Sequence, residues 1–232
     1  MDEPPDGEPS AQPPRVRDMP APRESTGIAG AAMRAVFTWP YRAILAGLYR
    51  AGVRPWQLTV ASLLANAVIG WLLLTDRRLL PGAVLIAAGM FDVFDGAVAR
   101  LRGEDRRVGA FLDSVLDRIG DMILFGCLYW AEAGQGHELN AALALVTLVT
   151  ALMVSHIRAE AEAAGVSLSE GFFQRLERYI AVVIGLIVPG TLTPMLVVLV
   201  VLGSLTVLQR GWSAIRRLSR LAADQRWQDG QR

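Results

Sequence analysis

Six apolar stretches follow one another along the chain, near residues 56–75, 79–101, 108–131, 139–162, 175–191 and 194–211. Each can be measured against the roughly 20 residues that a helix needs to cross the hydrocarbon of a bilayer. In lipid every backbone N–H and C=O must be satisfied within its own segment, so each stretch is predicted to be a helix. The expected fold is an all-α integral membrane protein, with six transmembrane helices in a domain spanning 52–220. Composition agrees: 53% of the 232 residues are hydrophobic and 19% charged, against about 45–50% and about 25% in a soluble domain.

The flanks differ from this domain. Residues 1–26 hold seven of the twelve prolines and six acidic residues, and such a segment cannot bury enough apolar surface to offset its ordering entropy. It is expected to be a disordered tail. Residues 27–51 mix Phe37, Trp39, Tyr41, Ile44, Leu45 and Leu48 with Arg34, Arg42 and Arg50. That pattern predicts an N-terminal interfacial amphipathic helix lying on anionic lipid; an ordinary helix packed on the bundle is the competing reading. Residues 221–232 are expected to be a flexible C-terminus.

Net charge is only +1, which argues against a nucleic-acid partner. The single Cys127 excludes an intrachain disulfide, and His137 and His156 stand too far apart for a local His-ligand motif. All 23 basic residues are Arg, the usage expected of a GC-rich genome. The 101–107 loop and the C-terminal end are Arg-rich, whereas the 132–138 and 191–194 loops carry none. The expected placement is therefore the plasma membrane of a bacterium, with both termini cytoplasmic.

Acidic residues interrupt the apolar rule at particular places. Asp92, Asp95, Gly96, Ala99 and Arg100 fall at i, i+3, i+4, i+7 and i+8, one stripe of a helix. Gly109, Asp113 and Asp117 fall at i, i+4 and i+8, one stripe of the next. A short turn joins the two helices, so the stripes are expected to face each other and gather four carboxylates. One charge at mid-bilayer costs roughly 2.5–3.5 kcal/mol even on a lenient insertion scale. Arg100 and Arg118 could offset two at most, whereas two divalent cations would balance all four. Oxygen-only ligands suit Mg²⁺ or Mn²⁺, and paired cations commonly clamp displacement at phosphorus. Asp121, one turn beyond Asp117, is expected to partner Arg118. A cation channel or transporter would also use intramembrane carboxylates, but Gly96, Ala99, Arg100 and Gly109 have no evident task in a pore.

The string Asp92-x2-Asp95-Gly96-x2-Ala99-Arg100-x8-Gly109-x3-Asp113-x3-Asp117 resembles, without gap or substitution, the motif of the CDP-alcohol phosphotransferases. Pro55-x3-Thr59 at the opening of the first span is similar to that family's N-terminal pattern. The resemblance implies transfer of a phosphatidyl group from CDP-diacylglycerol to an alcohol hydroxyl with release of CMP, two divalent cations (Mg²⁺ or Mn²⁺), and a homodimer among membrane lipids. It implies that Asp92, Asp95, Asp113 and Asp117 hold the metals and that Asp117 takes the hydroxyl proton. Gly96, Ala99, Arg100 and Thr59 would serve the nucleotide donor, and Gly109 would let the two helices approach.

Acceptor choice is expected outside that motif. Arg158 ends the fourth stretch, and Arg175 and Arg178, at i, i+3, open the fifth. Three Arg near one face suit a phosphate-bearing polyol, although positive-inside flanking alone would also place Arg there. Arg175-Leu176-Glu177-Arg178 resembles the branch of the family that uses inositol phosphate. His156 and Glu160 depart from that branch, which has Tyr and a basic residue there. Inositol phosphate is the first expected acceptor and glycerol 3-phosphate the second.

Overall fold

Residue 16 and residues 19–20, 30–75, 79–102, 106–168 and 175–229 are described by the structure, a computed structural model. Among them run seven helices: α1 (Gly30–Arg50), α2 (Pro55–Leu74), α3 (Leu79–Arg102), α4 (Arg106–Gly134), α5 (Glu138–Ala163), α6 (Arg175–Ile187) and α7 (Leu192–Asp229). Local chemistry sets their ends. Pro55 opens α2, where its missing N–H costs nothing, and the Gln57 side chain accepts the Arg54 N–H at 2.9 Å. Gly136 closes α4 at φ 76°, and the following His137 N–H returns to the Glu132 carbonyl at 2.9 Å, a left-handed cap that only glycine adopts cheaply.

Among the described residues, four helices are long and apolar enough to cross a membrane: Pro55–Leu74, Leu80–Arg102, Glu138–Ala163 and Leu192–Leu221. The chain is thus an all-helical protein of membrane type. Two expected stretches differ from their predicted bounds. α6 stops after 13 residues at Ile187, ahead of Pro189 and of Gly190 at φ 79°, so the span expected to reach 191 is shorter. α7 continues to Asp229, so residues 221–229, expected to be flexible, are helical.

Packing closes a ring. α2 lies against α3 and α4, α4 against α5, α5 against α7, α7 against α6, and α6 against α3. Every one of the six sends side chains into one buried cluster, among them Ile69, Leu85, Phe125, Ala144, Val182 and Leu196. Lipid tails are as apolar as Leu, so close packing rather than water exclusion must hold such a ring. Small residues stand where helices touch. A Cβ on Gly70 of α2 would lie 2.9 Å from Ile123 Cγ2 and 3.0 Å from Cys127 Sγ of α4. A Cβ on Gly82 of α3 would lie 2.7 Å from Ile187 Cγ1, and one on Gly203 of α7 2.9 Å from the Thr150 hydroxyl. Gly70→Val is therefore expected to cost about 1–3 kcal/mol by overpacking, read as a lower melting midpoint in detergent; an unchanged midpoint would contradict the α2–α4 contact.

α1 docks on α3. Tyr41 stacks on Phe94 at 5.1 Å between ring centroids, and Leu45 and Ala46 bury against the same cluster. Trp39 and Ile44 stay exposed, so one face of α1 packs on the bundle while these two remain outside it. Met19, inside the stretch expected to be disordered, is 1% exposed in this cluster; most of the 1–26 tail lies outside the described residues.

The two ends of the ring are built differently. At one, the buried Glu132 carboxylate accepts the Asn140 amide at 2.7 Å and meets His137 Nδ1 at 3.0 Å. The Thr193 hydroxyl donates to Asn140 Oδ1 at 2.7 Å, which ties α4, α5 and α7. At the other end lie the start of α2, the end of α3, the start of α4, the end of α5 and the start of α6. α7 reaches it through Arg210, which donates to the Val154 carbonyl at 3.1 Å.

Candidate active site

At this second end lie the motif residues. Asp95 projects from the last turns of α3 and is 8% exposed. The Thr59 hydroxyl, in the first turn or so of α2, donates to Asp95 Oδ2 at 3.0 Å and also reaches the Pro55 carbonyl at 3.1 Å. The bond to Thr59 fixes which way Asp95 points. Thr59, assigned to the donor site, is thus joined directly to the carboxylate stripe. Asp117 is half-buried on α4. The side chains of Asp92, Asp113 and Arg175 lie outside the described residues, and within those residues no group of three metal-ligating side chains gathers.

α3 and α4 face each other less than the turn between them suggested. α3 packs chiefly on α2, and α4 on α5 and then α2, while among the described residues α3 and α4 meet each other only over a short stretch. α2 is in effect the spine of the site: Thr59 reaches α3, and Asn66 lies against Gly120 of α4, where a Cβ would be 3.2 Å from Asn66 Oδ1. Gly109 corrects an expectation. A Cβ there would meet nothing within 4 Å and the position is exposed, so no described helix uses it for close approach. Gly120, not singled out from the sequence, has that task. Gly96 is similarly open: its Cβ would meet only Arg100 Nη1, at 3.4 Å. The missing side chains at 96 and 109 leave room on the carboxylate stripes rather than filling a helix contact.

Arg118 does not partner Asp121 as expected. Its guanidinium donates to the Ser114 carbonyl at 2.7 Å, to the Ser114 hydroxyl, and to the Ser155 carbonyl of α5 at 3.3 Å. Asp121 is instead bound by Arg178 of α6, Nη2 to Oδ2 at 2.8 Å. Arg158 pairs with Glu162 at 2.8 Å one turn on, and both are exposed, so that pair holds at most about 1 kcal/mol. Glu160, at the departure from the inositol phosphate branch, stands 3.9 Å from His156. Two residues from Arg158 on a helix turns it about 200° away, onto another stripe.

Arg210 is the residue that sequence reasoning missed. It reads as a flanking charge, yet it is 7% exposed and donates to the Val154 carbonyl, one turn before Arg158 on α5. Guanidiniums of α5, α6 and α7 therefore share one end of the bundle with the carboxylates of α3 and α4.

Residues 53–215 match the family model described as CDP-alcohol phosphatidyltransferase. The chain belongs to the CDP-alcohol phosphatidyltransferase family. Over 154 residues it is 37% identical to the phosphatidylinositol phosphate synthase of Mycobacterium marinum, covering 66% of this chain and 66% of that protein, about two thirds of its length. The phosphatidylinositol phosphate synthase of Mycobacterium tuberculosis, solved with CDP-DAG bound, superposes with a TM-score of 0.67 at 32% identity, over 74% of this chain and 92% of that one. The same enzyme in complex with manganese and citrate gives 0.67 and 32%, over 74% and 87%. Membership of this family sets aside the channel or transporter reading.

The donor set here fits the divalent cations that this family uses. It offers hard carboxylate oxygens and a hydroxyl; one carboxylate, Asp95, is buried and oriented, and Gly96 and Gly109 leave space above the stripes.

Proposed function

We propose that this enzyme transfers the phosphatidyl group of CDP-diacylglycerol to a hydroxyl of inositol phosphate, releasing CMP. Asp92, Asp95, Asp113 and Asp117 would hold two divalent cations, which when bound neutralise the pyrophosphate charge. Thr59 keeps Asp95 turned into the site. Gly96 and Ala99 leave room for the cytidine nucleotide, and Arg100 lies alongside it. Asp117 takes the proton of the acceptor hydroxyl as its oxygen attacks the phosphorus of the phosphatidyl group. The bond from that phosphorus to the bridging oxygen breaks, and CMP leaves with the oxygen. Holding hydroxyl and phosphorus in register contributes to rate without any covalent enzyme intermediate.

The observation that carries the acceptor assignment is the placement of three Arg at the site end of three helices: Arg210 of α7 reaches the Val154 carbonyl one turn before Arg158 of α5, and Arg178 of α6 holds Asp121 one turn beyond Asp117. Like charges gathered in a half-buried place favour an anionic ligand among them. Arg175, one turn before Arg178 on the same face, is assigned to the same phosphate. The exposed Arg158–Glu162 pair is weak enough to yield to it. Glu160 faces His156 on another stripe and does not itself oppose this cluster, so the departure from the inositol phosphate branch does not remove the acceptor. Six helices, α2 to α7, make the transmembrane domain over 52–220, with α1 at the interface. The protein works as a homodimer in a bacterial plasma membrane with both termini cytoplasmic, a reading supported by the Arg-rich 101–107 and C-terminal segments.

The test is a competition. Purified protein with Mn²⁺ and CDP-diacylglycerol receives equimolar inositol phosphate and glycerol 3-phosphate, and the lipid product is read by mass spectrometry. Phosphatidylinositol phosphate with one CMP per product is expected. Phosphatidylglycerophosphate as the main product would overturn the acceptor, and absence of CMP the reaction.

A further inference from the structure

Asp121 has no place in the eight-position motif, yet it is among the most deeply buried acids described, with its side chain 3% exposed. It stands one turn beyond Asp117 on α4, continuing the stripe of Asp113 and Asp117. Its partner Arg178 belongs to α6, 57 residues away. α4 and α6 lie across the ring from each other and, among the described residues, have no backbone packing contact. The 2.8 Å bond between these two side chains therefore spans the interior at the level of the site.

A buried carboxylate and guanidinium gain little net stability over apolar residues of the same size, so stability alone does not account for the pair. Its geometry suggests another use. The guanidinium offers five N–H donors, and the Asp121 contact engages Nη2. Arg178 Nε is buried without a hydrogen-bond partner among the described residues, while the side chain is only 11% exposed. Unsatisfied buried donors are costly, and an anion accepting from this edge would remove that cost. Asp121 thus holds the guanidinium through Nη2 alone and leaves Nε without a partner among the described residues.

The geometry points to Asp121 as a positioning residue that sets where Arg178 meets the acceptor phosphate, measured from Asp117. Both anchors stand on one rigid helix, one turn and so about 5–6 Å of rise apart. The acceptor's reacting hydroxyl is placed by Asp117 and its phosphate by Arg178 through Asp121. The spacing between those two groups on the polyol is then what the enzyme selects. This rests on the reading of Arg178 as an acceptor-phosphate ligand.

Steady-state kinetics of the full-length protein in detergent, with inositol phosphate and CDP-diacylglycerol varied in turn, test it. Asp121→Asn is expected to raise the KM for inositol phosphate at least tenfold and to leave the KM for CDP-diacylglycerol within twofold. Combined with Arg178→Ala it should add nothing to the effect of Arg178→Ala alone, because both act through one contact. An unchanged or lower acceptor KM in Asp121→Asn overturns the inference, as does a parallel loss across both substrates, the mark of a packing defect. Asp121→Glu keeps the charge and lengthens the arm by one methylene. It should fold and still raise the acceptor KM severalfold, so a wild-type value in it overturns the inference even if Asp121→Asn fails to fold. If Arg178→Ala itself leaves the acceptor KM unchanged, the acceptor pocket falls first, and the role of Asp121 with it.

Discussion

Asp117→Asn is expected to lower kcat by about 100- to 10,000-fold, the range that a positioned general base contributes, with CDP-diacylglycerol binding altered only a fewfold. The substitution keeps an oxygen at the same place on α4 but removes its ability to take a proton. Cations held by these carboxylates would weaken Asp117 as a base and would lower the hydroxyl's hold on its proton as well, which keeps Asp117 suited to the role. Single-turnover CMP release and equilibrium donor binding, measured on the same preparation, separate the two effects. Full activity in Asp117→Asn would refute the base assignment. A loss confined to donor binding would instead make Asp117 a ligand only.

Chelation is expected to have an effect of similar size. With EDTA, CMP release should fall to background and return on addition of Mg²⁺ or Mn²⁺ in excess of the chelator. The physical ground is the cost of four carboxylates and a pyrophosphate near one another in a half-buried site. Activity is not the only readout. Adding Mn²⁺ to chelated protein at about 100 times its Kd should stabilise the fold by about 2.7 kcal/mol, raising the melting midpoint by a few degrees. The shift should shrink in Asp95→Asn. A midpoint indifferent to Mn²⁺ would contradict metal binding at these residues.

Much of the bundle was legible because a bilayer imposes a length. Starts and ends of α2, α3 and α5 fall within a residue or two of the predicted stretches, since apolar runs bounded by Pro, Gly or Arg have few other readings. α7 was cut short at 211 because its later turns carry Arg216, Arg217 and Arg220 and no longer read as a span. α6 ends ahead of Pro189 and Gly190, two helix-stopping residues that lie inside the apolar stretch expected to run to 191. The carboxylate stripes were readable from 3.6-residue periodicity, which says which side chains share a face. Periodicity does not say which helix that face meets. Hence Arg118 was paired with Asp121 by proximity along the chain, whereas Arg178, 57 residues distant, takes it across the ring. Arg210 escaped for the same reason: a flanking Arg and a buried one look alike until α5 and α6 are placed around it. Met19, buried against α1 and α3, gave no signal at all in a proline-rich tail.

The count of Mn²⁺ bound per chain tests the central claim most directly. Chelated protein is titrated with Mn²⁺ in the presence of CDP-diacylglycerol, and free ion is followed by electron paramagnetic resonance. The account predicts saturation at two ions per chain, falling below two in Asp95→Asn. Wild-type protein that binds none, or an Asp95→Asn variant that binds as many as wild type, would contradict it.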